Sequence, residues 1–473
     1  MAVGTLYTDE FYADHADGSL SSALAVVPHL KALVSPSSVL DVGCGVGTWL
    51  RAWAHDGSVT TLRGIDGEWV TDLLSDEMRP LFQAHDLTTP LSFKRKFDLV
   101  TCLEVAEHLP RRANRTLIES LCKAGHVVAF GAAAPGQGGQ GHVNEHWPSY
   151  WAKLFAEQGY QPYDVLRQRI WWDQRIEYWY RQNIVLFARP RTASQLGISK
   201  LETGHSLDVV QPAMMMPELR PRLRATVCIP WRPSRSRMAA FARVQEYWAM
   251  FGWPIVTADS DTKIFSLAQA RNNAMRQAET DVVVLADADT LCDPLNVLRA
   301  VAEPVGICWP FTRYRILDLK YLDTPVHQLS SLPYINTWDG EGALGVGGMI
   351  IGKRSEFIRL GGQPSEFHGW GWEDTAFTSV VTTLSRVKRL TGHLYSFEHN
   401  TKAERYTGAK ADSPGWDRDV SRNEKLFDIY RVAEGRPWVM RAVLVRRAAD
   451  NPDDPLNWGR YSTDGGLKTQ GGR

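Results

Sequence analysis

The sequence predicts an α/β protein built as two consecutive α/β units, the first on a mostly parallel sheet. Three observations predict it. Short β-prone runs alternate with helix-like segments through residues 1–190, a proline-punctuated stretch then breaks the rhythm, and the alternation restarts at ATVCIP, residues 225–230. A chain of 473 residues also exceeds what one hydrophobic core fills and suits two domains.

In the first block, residues 39–42, 62–66, 97–103 and 127–131 read as strands, with a helix over 112–123. The apolar run IVLFA at 184–188 reads as a sheet-closing strand. From 191 to 221, Pro212, Pro217 and Pro221 punctuate a segment of weak periodicity, read as a linker. The second block, expected over 222–440, sets strands at 225–230, 254–259 and 281–289 between helices at 238–251 and 267–278. Residues 441–473 read as a polar tail whose end, TDGGLKTQGGR, is disordered.

Lys plus Arg and Asp plus Glu each number 53, so the formal charge is zero. That balance lacks the basic footprint of a nucleic-acid partner. Six cysteines without a CxxC pair, in or beside apolar runs, read as reduced thiols of a cytoplasmic protein. Residues 1–17 carry acids and no apolar core, so no signal peptide is expected. No run approaches the roughly 18–20 apolar residues of a membrane span. The 18 tryptophans suit cores and also platforms for sugar rings or bases.

The first chemical signal is SVLDVGCGVGTWL, a strand running into a helix through a glycine turn. Gly43, Gly45 and Gly47 after Asp41 permit a tight bend and close approach to a ligand, where a Cβ would collide. Asp66 ends the next strand, where a carboxylate can accept from a ribose diol. By itself the turn also fits a dinucleotide. The succession DVGCGVG, GID, AHDL and FDLVTCLEVAEHL, however, resembles the motifs of class I S-adenosylmethionine-dependent methyltransferases over residues 1–190, and the third glycine of GxGxxG is missing. The resemblance implies a Rossmann-like fold with S-adenosylmethionine as cofactor. It assigns Asp41 and the three glycines to the cofactor site, the glycines facing the methionine part, Asp66 to the ribose and Asp86 to the adenine amino group. Glu104 falls where the family faces cofactor or acceptor. Glu107 and His108 either cap or line a helix start or have a functional part.

The loop PGQGGQGHVNEHWPSYW follows the strand at 127–131, at the sheet end where ligands bind. Its His142, Glu145 and His146 titrate in a range useful to a general base on an acceptor hydroxyl. His142 and Glu145 are the leading candidates. The alternative is a solvated loop.

The second signal is VVVLADADT, which sets Asp287 and Asp289 two apart at a strand tip. Such a pair can converge on one divalent cation, Mn2+ or Mg2+, that bridges the phosphates of a nucleotide. A lone DxD is weak. Its order with GGMIIGKRSEFIRLGG and GWGWED resembles the GT-A glycosyltransferases, near the β-1,4-galactosyltransferases, the polypeptide N-acetylgalactosaminyltransferases and chondroitin-synthase-type domains, over residues 222–400.

That resemblance implies a nucleoside-diphosphate sugar donor, a UDP-sugar, and an acceptor hydroxyl on a glycan, protein or small molecule. Asp287 and Asp289 match the DxD, Asp289 as the direct metal ligand. Asp374 matches the base acting on the acceptor in inverting members, and Glu373 orients the acceptor. Trp370 and Trp372 are placed to stack on sugar or to pack a core. His399, in preference to His393, matches a third metal ligand. Pro230, Arg232 and Arg237 match the nucleotide-binding start, Asp259 a uracil or ribose contact, and Arg271 and Asn272 a segment lining the nucleotide pocket.

The combined expectation is a bifunctional enzyme that transfers a sugar and O-methylates, on one glycan or glycoconjugate. Two rivals stand beside it. One domain is a binding module only, or both act on a nucleic-acid base, which the zero net charge disfavours.

Overall fold

The computed structural model describes residues 9–198, 206–339, 347–369, 371–398, 414–451 and 453–458. The chain divides into two compact units, Met1–Arg222 and Leu223–Arg473.

The first unit is built on seven strands: β1 Ser38–Val42, β2 Thr61–Asp66, β3 Phe82–Ala84, β4 Phe97–Leu103, β5 Gly125–Gly131, β6 Gln161–Tyr163 and β7 Val185–Ala188. Their order is β3-β2-β1-β4-β5-β7-β6. All pairs from β3 to β5 are parallel, whereas β7 runs antiparallel to both neighbours. The two-residue period of a strand explains the near-continuous apolar runs. Leu40, Val100 and Val128 point into one core with Phe130 and Phe155, while Val39, Leu99 and Val127 point into the other with Trp53. Each such fully buried side chain contributes about 1.5–3 kcal/mol.

The chain starts in mid-sheet at β1, winds outward to β3, and returns to β4 on the other side of β1. The crevice at the tips of β1 and β4 is therefore a topological switch point, where open α/β sheets take ligands. The IVLFA strand does not close the sheet as expected; it lies between β5 and β6, and the short β6 is the edge.

The expected linker is also different. Pro190–Gln195 is helical, and Ala193 and Ile198 are buried in the core that holds Trp53. Further on, the Asp208 carboxylate accepts from the Ser149 N–H at 2.8 Å and its hydroxyl at 2.6 Å, and Gln182 donates to the Val209 carbonyl at 2.6 Å. Prolines remove periodicity, but they leave polar groups free to strap an irregular segment onto a domain.

The second unit holds β8 Thr226–Pro230, β9 Ile255–Ala258, β10 Val282–Ala286, β11 Thr290–Cys292, β12 Ile307–Trp309, β13 Arg313–Leu317, β14 Asn336–Asp339, β15 Met349–Lys353, β16 Val387–Arg389 and β17 His393–Phe397. One sheet runs β16-β12-β15-β10-β8-β9 and a second β11-β17-β13-β14. β10, the most apolar, is central, parallel to β8 and antiparallel to β15.

Two helices follow, Pro414–Ala433 and Pro437–Asp450, and the second runs ten residues into the stretch expected as a polar tail from 441. Arg447 is buried between them and the loop before Glu373. It pairs with Asp454 at 2.7 Å and donates to the Gly361 carbonyl and, at 3.4 Å, to the Tyr430 hydroxyl, which itself bonds Glu366. A charged residue type suggested solvent, yet its partners make burial tolerable. Residues 461–473 lie outside the described residues. No helix among the described residues is long and apolar enough to cross a membrane.

Candidate active sites of the two units

At the tip of β1, Gly43, Gly45 and Gly47 all hold positive φ, 78°, 50° and 83°, the region that favours glycine. A side chain at Gly43 would also strike the Val105 methyls. The Gly43 N–H donates to the Ile65 carbonyl at 2.7 Å, tying the turn to β2. Asp66, buried at the end of β2, accepts from the N–H of Gly45 at 2.8 Å and of Gly67 at 2.7 Å. Burial nevertheless pushes its carboxyl up, those two N–H groups offsetting part.

Asp41 is buried, with Oδ1 accepting from Thr101 at 2.6 Å and Oδ2 without a hydrogen-bond partner. Burial raises it to about 7 against the Thr101 hydrogen bond, and Asp66 adds to the rise. Asp86 is exposed just past β3 and turns onto Thr88, whose N–H and hydroxyl lie 2.9 and 2.8 Å away and lower its carboxyl.

Glu104 caps β4 with a positive φ of 58°. Its carboxylate is held by Asn183 at 2.8 Å and Gln137 at 2.9 Å. Three residues on, Glu107 is fully buried, and no hydrogen bond of normal geometry reaches either oxygen. Burial pushes it far above the carboxylate range; Glu104 adds to this, and the N–H groups of Glu107 and Ala133 offset only part. Burial also raises Glu104, and it lowers His108 to about 4.

The glycine-rich loop folds back over this turn. Val143 donates to the Glu107 carbonyl at 2.9 Å and Asn144 to the Ala106 carbonyl at 3.0 Å. The rings of His142 and His108 meet edge to face, centroids 4.9 Å apart. Glu145, expected as a base, is spent on structure: it accepts from Gly136 and Gly138 N–H and from His142 Nδ1, each at 3.0 Å. His146 stacks on Tyr150 instead.

In the second unit the DxD strand tip meets two helices. Arg271, in the helix Leu267–Arg276, is 1% exposed and donates to Asp287 at 2.7 Å and to Asp374 at 2.6 Å. It was expected to line a nucleotide pocket, but it is buried beneath the acids. Burial opposes its charge, yet the two carboxylates raise it above the ordinary guanidinium value. Burial likewise pushes Asp287 up, Arg271 opposing and the charges of Asp289 and Asp374 adding. Asp289 is buried with Arg237 at 3.5 Å. The Tyr314 hydroxyl is raised by burial and by all three carboxylates.

Gly347 sits against Asp374 so closely that any Cβ there would strike the carboxylate. Glu373 and Asp374 open the helix Glu373–Leu384, where acids favour the positive end of the dipole. Trp372 precedes them with a φ of 74°, is half-buried, and stacks on Phe427 with ring centroids 5.0 Å apart. Asn272 is spent on the Gln363 backbone, donating and accepting at 2.9 Å. Arg232 grips Asp259 with two nitrogens, at 2.8 and 2.7 Å, just beyond the tips of β8 and β9, next to Pro230. Trp370 and His399 lie outside the described residues.

Residues 12–165 match the family described as "Methyltransferase domain", and residues 336–400 match "N-terminal domain of galactosyltransferase". The chain carries a methyltransferase domain followed by a galactosyltransferase-type domain. The ubiquinone biosynthesis O-methyltransferase of Coxiella burnetii is 36% identical over 78 residues, 15% of this chain and 32% of that protein. The chain thus spans about a third of the curated relatives it matches. Among solved structures, S-adenosylmethionine-bound CalS10, an amino pentose methyltransferase from Micromonospora echinaspora, covers 39% of this chain and 98% of its own at 16% identity and TM-score 0.30. Streptomyces venezuelae DesVI covers 40% and 99% at 14% identity and TM-score 0.28. Likenesses this distant decide nothing about substrate.

The methyltransferase match takes in Asp41 to Glu145 but ends before Asn183, which holds Glu104. The galactosyltransferase-type match contains Glu373 and Asp374 but neither Asp287 nor Asp289. Arg271, which joins them, lies outside it. Gln137, Asn183 and Thr101 are site residues that sequence reasoning missed, because amides and hydroxyls carry no motif of their own.

Proposed function

We propose that the chain is a bifunctional transferase, one domain moving a methyl group from S-adenosylmethionine to an oxygen, the other a sugar from a nucleoside-diphosphate donor, a UDP-sugar, to an acceptor hydroxyl. The acceptor is a glycan, protein or small molecule, and the two activities serve one product, brought together by fusion. The observation that carries the sugar half is Arg271 joining Asp287 to Asp374. It supports one site made from the donor-binding strand tip and the acidic helix.

Three acids against Arg271 and Arg237 leave one negative charge over, and carboxylate oxygens are donors suited to a divalent cation. Asp289, with Asp287 beside it, would hold the cation, which would neutralise the departing diphosphate. Asp374 takes the acceptor proton, aimed by its ion pair with Arg271. Glu373, buried at the same helix start, orients the acceptor. In the methyltransferase domain the left-handed glycine turn and the partner-poor Asp41 fit a close-lying cationic cofactor, and catalysis there rests mainly on alignment of acceptor oxygen and methyl carbon. Six free, buried cysteines suit a cytoplasmic setting.

The test is a screen of nucleotide sugars with Mn2+, with and without S-adenosylmethionine, read by thermal shift and donor hydrolysis. One donor should be hydrolysed only with Mn2+, and Asp289→Ala should abolish that. No hydrolysis of any donor, with no stabilisation by any, would sink the sugar half. Absence of S-adenosylmethionine binding would sink the other.

A further inference from the structure

Within the methyltransferase domain, three residues that the sequence offered only singly come together as one cluster. Ligand atoms of Glu107, His108 and His142 lie within 4.8 Å of one another. Proximity alone would not carry a site, since acids and histidines often gather at surfaces. Here the carboxylate at its centre is fully buried, and no hydrogen bond of normal geometry reaches either oxygen. A buried carboxylate persists when something neutralises it.

The surroundings are built for orientation. Glu145 accepts from His142 Nδ1 at 3.0 Å, which leaves Nε2 as the nitrogen able to ligate. A carboxylate behind an imidazole in this way fixes the ring of a metal ligand. Glu145 is itself anchored by two backbone N–H groups, and residues 143 and 144 are bonded to the Ala106–Glu107 turn. The loop that carries His142 is thereby pinned to the turn that carries Glu107 and His108.

We propose that the methyltransferase domain binds a divalent transition-metal cation, of the Mn2+ to Zn2+ series, through Glu107, His108 and His142, with Glu104 as the adjoining carboxylate. Two imidazoles with one carboxylate suit these ions better than the all-oxygen preference of Ca2+ or Mg2+. The site adjoins the cofactor turn, because Val105, between Glu104 and Glu107, packs against Gly43. Its role rests on the methyltransferase reading. A cation there binds the acceptor oxygen and makes its proton easier to lose. The proton passes to solvent, the oxygen–carbon bond forms as the carbon–sulfur bond breaks, and the sulfonium leaves as a neutral thioether. His142 is then a ligand and not the general base.

The test uses the full chain carrying Asp287→Asn and Asp289→Asn, which silences the acids of the other domain. After chelation and dialysis it is titrated with Mn2+, following the signal of free Mn2+ by electron paramagnetic resonance, with Zn2+ as competitor. One equivalent should bind and be displaced by Zn2+. Glu107→Gln and, separately, His142→Ala should weaken binding at least about tenfold, while calorimetry shows S-adenosylmethionine still bound. Failure of the parent to bind either ion, or unchanged binding in both variants, overturns the proposal. Intact cofactor binding in that case would leave the methyltransferase reading standing.

Discussion

Arg271 and Asp374 meet at 2.6 Å across 103 residues of chain, joining the helix behind the DxD strand to the helix that opens with the paired acids. The same guanidinium holds Asp287, so one buried cation sets the spacing of two carboxylates with different tasks. Arg271→Ala should abolish sugar transfer and destabilise the second unit by roughly 3–5 kcal/mol, because it leaves buried charges unpaired. Asp374→Asn should cost far less stability, retain donor binding and still lose transfer. Denaturant melts alongside transfer assays separate the two.

The glycine turn makes a sharper comparison. Gly43 and Gly57 have similar positive φ, 78° and 70°, but a side chain meets Val105 at the first and open space at the second. Both alanine variants should lose stability by about 1 kcal/mol or more from the backbone alone. Only Gly43→Ala should also weaken S-adenosylmethionine binding, at least about tenfold by calorimetry.

Asp41 predicts a pH dependence. Its folded carboxyl sits at about 7 against an ordinary 3.8, so the folded state keeps a proton that the unfolded chain releases. The contribution to stability is intact below about pH 4, falls as pH rises towards 7, and is flat beyond. Asp41→Asn should match the parent near pH 4 and exceed it by a few kcal/mol at pH 8, on the order of the shift. Chemical denaturation of both proteins at the two pH values checks it. A constant difference would refute the assignment.

The C-terminal helices are held to the rest of the second unit through a buried cation. Arg447 ties them to Gly361 and Glu366, just upstream of Glu373, without touching Asp287, Asp289 or Asp374. Arg447→Ala should destabilise by roughly 3–5 kcal/mol. It should also open residues 414–450 to limited proteolysis and lower sugar transfer, while S-adenosylmethionine binding stays unchanged.

Much of this was readable along the chain. Gly43, Gly45 and Gly47 stood out because positive φ selects glycine. Asp287 and Asp289 stood out because they end an apolar strand, and β1, β4, β5 and β10 announced themselves as buried runs. What escaped was different in kind. The proline-rich stretch after β7 and the charged segment around Arg447 looked like linker and tail, because their stability comes from specific polar partners and not from a repeating apolar pattern. Trp372 read as a sugar platform or a packing residue, and only the structure sets its ring against Phe427.

The sequence by itself determined two α/β units, a glycine bend at one strand tip and paired acids at another, since each is written within a dozen neighbouring residues. Only the tertiary structure decided that Arg271 underlies the acids, that Glu145 is a clamp, and that His142 comes to Glu107. The first and last of these join side chains tens of residues apart, the clamp joins groups within one loop, and the energy of all three depends on burial and distance, which no local pattern encodes.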